Sequence, residues 1–347
     1  MKPITTAILS YGMSGEIFHA PLLHAHAGFT LSTVVQRNST KANIRYPDIK
    51  IVRDVDAVMQ DETIELIIVN TPNGTHYPFA TRALEAGKHV VVEKPFSVTT
   101  AEAEGMIALG KKTGKLLTVF QNRRWDGDFL TLKKVVQEKL LGDVVEFELH
   151  YDRYRNYIEA NTWKEESAPG TGILYNLGSH MLDQVLVLFG MPAEVDARMG
   201  VQRQGGQVDD YYDIRLQYAG FHAIVKSSYL VREPGPRYIL HGTKGSFIKY
   251  GLDPQEQALK EGKQPGSTSW GYDPKEYWGK LNTAVGSVHV EGVIETELGN
   301  YMAYYDNIYE VIRDGKELMV KPEESRDGIK IIEACGESNR LRKAIKV

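Results

Sequence analysis

The run His89-Val90-Val91-Val92, closed by Glu93-Lys94-Pro95, constrains this chain more than any other stretch. Apolar residues without polar alternation read as a buried strand of a parallel sheet. Lys94 then stands at the carboxyl end of that strand, the edge where open α/β sheets bind ligands. Desolvation there weakens a lysine's hold on its proton, so the amine can exchange one near neutral pH. The plain alternative is a lysine that ends a strand at the surface.

The surrounding pattern favours the sheet. Ile4 to Leu9, Thr30 to Val35, Leu66 to Val69 and Leu116 to Phe120 read as further short apolar strands. Helical stretches separate them: Glu16 to His26, with a kink or break expected at Pro21, then Pro78 to Ala86 and Ala101 to Lys112. Such alternation predicts a doubly wound Rossmann sheet over residues 1–122. Residues 123–347 read as an α+β domain with a large, mostly antiparallel sheet. Its expected helices are Phe129 to Lys139, Ile173 to Phe189, Glu297 to Arg313 and Glu323 to Lys343. Its expected strands are Val144 to Tyr151, Glu194 to Arg203, Asp210 to Tyr218, His222 to Val231, Arg237 to His241 and Ser246 to Tyr250. Arg153 to Gly172 reads as a long loop, and residues 251–296 as a long excursion covering the sheet or the mouth of a site.

With 347 residues, two domains are the natural division. A net charge of -4 and only short basic clusters give no reason to expect nucleic acid. No run reaches the ~20 apolar residues of a membrane helix. Met1-Lys2-Pro3 leads straight into a strand, so no signal peptide is expected. A single cysteine, Cys335, fits a reducing cytoplasm. No metal is expected.

Three segments carry candidate chemistry. Ser10-Tyr11-Gly12-Met13-Ser14-Gly15 follows the first strand and opens a helix. It matches the last two glycines of the dinucleotide fingerprint, with Ser10 in place of the first. Helix N-terminal amides would face the phosphates. The second strand ends in Gln36-Arg37-Asn38-Ser39. An NAD site usually holds a carboxylate there; Gln36 does not repel a 2′-phosphate, and Arg37 and Ser39 can bind one. NADP is therefore expected over NAD, against the alternative of a solvated basic turn. Asn70-Thr71-Pro72-Asn73-Gly74-Thr75-His76 ends another strand and reads as a turn at the same edge, or as a helix-capping cluster. Farther on, Gly172, Asn176, His180 and Asp183 form a polar stripe on an otherwise apolar helix, with Asn176 and His180 on one face. Such a stripe must be satisfied or line a cavity.

These segments together resemble the glucose–fructose oxidoreductase / inositol dehydrogenase family (Gfo/Idh/MocA). The likeness spans the whole chain. It rests on the glycine turn, on Asn70-Thr71-Pro72-Asn73 with His76, on Ala83 to Val90 running into Glu93-Lys94-Pro95, on the 172–183 helix and on Gly242 to Phe247. Within the family it runs towards NADP-linked, scyllo-inositol dehydrogenase-like members, through Gln121 to Asp126 and Lys249 to Gln255. The resemblance implies cofactor contacts from Gly12, Met13, Ser14, Gly15, Arg37, Ser39, Thr71, Pro72, Asn73, His76, Glu93, Lys94 and Asn122. It also implies a catalytic Lys, Asp and His. The Lys and His map to Lys94 and His180; the Asp position holds Asn176, which can hydrogen-bond but cannot take a proton.

The expected activity is hydride transfer between nicotinamide and a secondary alcohol of a polyol or sugar. His180 or Lys94 takes the hydroxyl proton, the other polarises the same oxygen, and Asn176 anchors a neighbouring hydroxyl. Arg153, Arg155 and Trp163 are expected to line the substrate; alternatively they pack or solvate their loop. A broad sheet face also needs a cover, and the resemblance implies a homodimer or homotetramer. Competing readings are a non-catalytic NADP-binding regulator and a reductase of a non-sugar carbonyl.

Overall fold

A computed structural model describes residues 2–347. The chain divides into two compact units, one of Met1–Trp125, Pro254–Trp270 and Asn300–Arg326, the other of Asp126–Asp253, Gly271–Gly299 and Asp327–Val347.

The first unit holds six parallel strands: β1 (Ile4–Ile8), β2 (Phe29–Val35), β3 (Lys50–Val52), β4 (Leu66–Val69), β5 (His89–Val92) and β6 (Leu117–Val119). Their order is β3-β2-β1-β4-β5-β6, so the winding reverses between β1 and β4. That switch point opens a crevice at the carboxyl ends of the strands. The central strands are buried on both faces, which is why they read as unbroken apolar runs. β3 was absent from the sequence reading; it is a three-residue edge strand with Lys50 exposed, too short to show a period.

Pro21 does not break its helix. Gly15–His19 forms a π turn in which the Ala20 N–H reaches the Gly15 carbonyl, and the chain then enters the α-helix Ala20–Ala25. Pro21 thus lies inside a helical run over residues 13–25, directly after the π turn, whose local change of pitch is where a missing N–H can be absorbed.

Two later segments, which the sequence division gave to residues 123–347, lie with this first unit, and particular side chains account for it. Gln255, fully buried, donates to the Trp125 carbonyl and accepts from the Tyr301 N–H and the Trp270 indole. Arg123 pairs with Glu256, and Thr118 donates to the Val320 carbonyl. Tyr301, Tyr304 and Tyr305 pack with Phe18, Phe120 and Trp125. No local sequence pattern announces such ties.

The second unit is built on nine strands: β7 (Val144–His150), β8 (Glu194–Gly200), β9 (Tyr211–Tyr218), β10 (Phe221–Ser228), β11 (Tyr238–Gly242), β12 (Gly245–Lys249), β13 (Gly279–Val285), β14 (Val288–Ile294) and β15 (Ile345–Lys346). The order is β14-β13-β12-β11-β7-β10-β9-β8-β15, antiparallel throughout except for β7 with β10. Phe147, Leu149, Ile214, Leu216, Val225, Leu240 and Phe247 alternate inward and are buried. The expected excursion over 251–296 is corrected: it contains a helix, Gln255–Lys260, and the β13–β14 hairpin. Val285 pairs with Val288 around Gly286-Ser287, and Gly286 takes φ +62°, as a two-residue hairpin turn needs. That dipeptide was a readable signal. β14 is exposed on both faces, however, so no covered apolar face marked it.

Candidate active site

In the first unit the glycine turn is built around close approach. A Cβ on Gly15 would lie 2.1 Å from the Ser10 carbonyl oxygen and 2.9 Å from Asn70 Nδ2, so only glycine fits. Ser10, the departure from the fingerprint, takes part in the turn: its Oγ accepts the Gly12 N–H at 3.2 Å. Asn70 clamps Ser10 from both sides, accepting its N–H at 2.9 Å and donating to its carbonyl at 2.8 Å. β1 and β4 are thereby locked at the switch point. Gly12 and Met13 stay exposed, open to an incoming group, and Ser14 is half-buried. An exposed glycine turn ending in a residue that tolerates no Cβ is the cradle a pyrophosphate requires.

Glu93 and Lys94 sit beside this turn. Glu93 is buried, yet its carboxyl is held down at about 2. Burial alone would raise it; hydrogen bonds from His19 and Ser14 and the charges of His19 and Lys94 outweigh burial. Oε1 lies 3.0 Å from His19 Nε2, and Oε2 accepts the Lys94 N–H at 2.9 Å. A carboxylate only accepts, so His19 Nε2 carries a hydrogen. The other ring nitrogen lies 2.6 Å from the Tyr305 hydroxyl, and Phe120 packs on the imidazole. A buried chain Tyr305–His19–Glu93 therefore fixes the backbone from which the half-buried Lys94 projects. Neither His19 nor Tyr305 was singled out in the sequence, because their partners are 74 and 286 residues away.

His76 is 1% exposed, with Nδ1 at 2.8 Å from the Pro95 carbonyl and Nε2 at 2.9 Å from the Thr71 carbonyl. Burial holds its pKa below the ordinary value, against the pull of those carbonyls and of Glu93. It joins the Thr71–Thr75 turn to the residue after Lys94, so it shapes the cofactor edge through the backbone. Thr71 and Thr75 bond hydroxyl to hydroxyl at 2.6 Å; Pro72 is exposed and Asn73 half-buried. Arg37 and Ser39 are exposed after β2, and Asn122 is buried in the turn Asn122–Trp125.

In the second unit the polar stripe lies where a π turn, Leu174–Gly178, runs into the helix Ser179–Phe189. π turns inside helices frequently mark functional sites. Asn176 is half-buried and donates through Nδ2 to the Tyr229 hydroxyl at 3.2 Å. His180 and Asp183 are 6% and 3% exposed. Tyr229, a residue the sequence reading missed, lies just beyond β10. The Arg203 and Arg155 guanidiniums lie over its ring at 4.8 and 5.7 Å.

The loop after β7 is partly strapped. Arg153 N–H donates to the Ser228 carbonyl and Arg155 N–H to the Tyr229 carbonyl, at 3.0 and 2.7 Å. The Arg153 guanidinium lies over Tyr151. Trp163, half-buried, begins a 3₁₀ turn whose Glu165 takes two bonds from the buried Arg203, which also pairs with Asp210. Of the expected substrate residues, Arg155 and Asn176 are brought onto Tyr229; Arg153 stands over Tyr151, and Trp163 lies next to the anchored segment.

Residues 4–121 match the Gfo/Idh/MocA model described as an oxidoreductase family with an NAD-binding Rossmann fold, and residues 133–347 match that family's C-terminal alpha/beta domain. The chain is 42% identical over 342 residues to the scyllo-inositol 2-dehydrogenase (NADP(+)) IolW of Bacillus subtilis, covering 99% of this chain and 95% of that protein. An oxidoreductase structure from Bacillus subtilis, yvaA, superposes with a TM-score of 0.96 at 41% identity, covering 100% and 99% of the two chains. One from Bacteroides fragilis gives 0.91 at 43% identity, with both chains fully covered. The glycine turn, the Glu-Lys-Pro edge and the paired domain matches establish that this chain belongs to the Gfo/Idh/MocA family of oxidoreductases.

Proposed function

We propose that the protein is an NADP-dependent dehydrogenase exchanging a hydride with a secondary alcohol of a polyol or sugar of the inositol class. The observation that carries this reading is Lys94, set at the carboxyl end of β5 on a backbone that Glu93 and His19 fix beside the glycine turn. The likeness to a Bacillus subtilis enzyme named for NADP and scyllo-inositol supports the cofactor and the substrate class. Gly12 to Gly15 would hold the pyrophosphate, Arg37 and Ser39 the 2′-phosphate, and Thr71, Pro72, Asn73 and Asn122 the nicotinamide half. The nicotinamide supplies hydride acceptance; the protein's residues position it and move the proton.

In oxidation, neutral Lys94 or His180 removes the hydroxyl proton while the other donates a hydrogen bond to the same oxygen. In reduction the charged amine returns a proton. Asn176 and Tyr229 act as a neutral pair on a neighbouring hydroxyl, and Arg153, Arg155 and Trp163 recognise the rest of the substrate. A site reading hydroxyls by hydrogen bonds discriminates strongly against deoxy analogues. The lone cysteine fits a cytoplasmic setting. The sheet of the second unit supports assembly into a homodimer or homotetramer. Ile224, Glu148, Ile239 and Ile248 are neighbours across β10, β7, β11 and β12, half-buried on the face opposite the core, and a second copy covers them.

The test is turnover, followed by nicotinamide absorbance, over inositol isomers, aldoses and non-sugar carbonyls. NADP-linked turnover of polyols is expected, and Lys94→Met should lower kcat by about 10²- to 10⁴-fold while NADPH still binds. Wild-type turnover by Lys94→Met overturns the catalytic role. NADPH binding with no turnover makes the protein a regulator, and turnover confined to non-sugar carbonyls moves it to another substrate class.

A further inference from the structure

A second guanidinium stands at the turn that separates NADP from NAD, and the following inference rests on the NADP reading above. The turn after β2 runs from Gln36 to Lys41; Arg53 follows β3, the neighbouring parallel strand. One Arg53 nitrogen, Nη1, donates to the backbone carbonyls of Gln36 at 2.8 Å and Ser39 at 2.7 Å. Gln36 is 7% exposed, and both ends of its amide are used inside the turn. Oε1 accepts the Ala42 N–H at 2.9 Å, and Nε2 donates to Ser39 Oγ at 2.6 Å. A backbone N–H only donates, so the amide can face no other way. Ser39 Oγ therefore accepts from Gln36, and its own hydrogen is directed elsewhere.

We infer that Arg53 and Gln36 together preset residues 36–42 as a cradle for a phosphate monoester on the adenosine ribose, with Arg53 a positioning residue that determines cofactor specificity. The chemistry follows from donor count. A phosphate dianion needs N–H and O–H donors, and the Ser39 hydroxyl has its hydrogen to give because Gln36 has taken one of its lone pairs. Arg37 adds a planar fork from the exposed side. Arg53 adds positive charge behind the turn while its Nη1 ties down the two carbonyls. A Glu at position 36 would accept from both Ala42 and Ser39, turning the Ser39 hydroxyl inward besides adding a negative charge. The amide at 36 thus sets the direction of a donor as well as sparing a repulsion. Holding the turn in its binding shape beforehand also removes an ordering cost from binding.

The experiment is calorimetric titration of the full-length protein with 2′,5′-ADP and with 5′-AMP, which needs no catalysis. The wild type is expected to favour 2′,5′-ADP, and Arg53→Met should cut that preference about tenfold while leaving 5′-AMP affinity unchanged, which also reports an intact fold. Ser39→Ala should cost several-fold in the wild type and markedly less in the Arg53→Met background, because the two residues act through one turn. An unchanged preference in Arg53→Met overturns the inference, and so do losses that multiply independently. A wild type that binds both nucleotides alike overturns the NADP reading itself.

Discussion

Glu93 shows how a single residue links stability to the site. Its carboxyl sits at about 2 when folded, against an ordinary 4.5. A depressed carboxyl contributes stability that is complete above its unfolded value and is lost as pH falls towards its folded one. The window is therefore between about pH 4.5 and pH 2, and the contribution at neutral pH is on the order of 3 kcal/mol. We expect urea denaturation to show Glu93→Gln well below the wild type at pH 7, with the gap narrowing from pH 5 to pH 3. A gap independent of pH would mean that His19 and Ser14 do not hold the carboxylate. Lys94, Gly12 and Gly15 were legible from residue type and place alone. His19, Tyr305 and Arg53 were not, since each acts on a partner reached only after the strands are laid side by side.

At the scale of elements, the π turn Leu174–Gly178 and the end of β10 create a contact that periodicity could not supply. Helical spacing placed Asn176 and His180 on one face, but gave no partner for Asn176. One partner is Tyr229, 53 residues on. Tyr229→Phe removes the hydroxyl that accepts from Asn176 and leaves the ring beneath Arg155 and Arg203. The expected result is a rise in KM for the polyol, with kcat/KM down by about 10- to 100-fold and NADPH affinity unchanged. Steady-state kinetics with separate cofactor titration checks this; an unaltered KM would remove Tyr229 from the substrate site. The β13–β14 hairpin teaches a related lesson. Its turn dipeptide was present in the sequence, yet strands without a covered face show no contrast between buried and exposed positions.

For the whole molecule, no described helix is long and apolar enough to cross a membrane, and the proposal at this scale is that a second copy covers the outer sheet face. If a second copy does, light scattering at micromolar concentration should give a multiple of the 39.0 kDa chain, and Ile239→Glu should reduce it to 39.0 kDa. A wild-type mass of 39.0 kDa would count against assembly through this face. The sequence by itself determined the Rossmann sheet, the glycine turn and the lysine at its rim, because each is written in local period and residue type. It also determined most of the second sheet through alternation. Only the tertiary structure decided that residues 254–270 and 300–326 complete the first unit, that Glu93 is kept ionised by a distant histidine, and that Asn176 hydrogen-bonds Tyr229. Those outcomes depend on buried polar groups finding partners, and a buried donor accepts whichever acceptor the fold brings within reach.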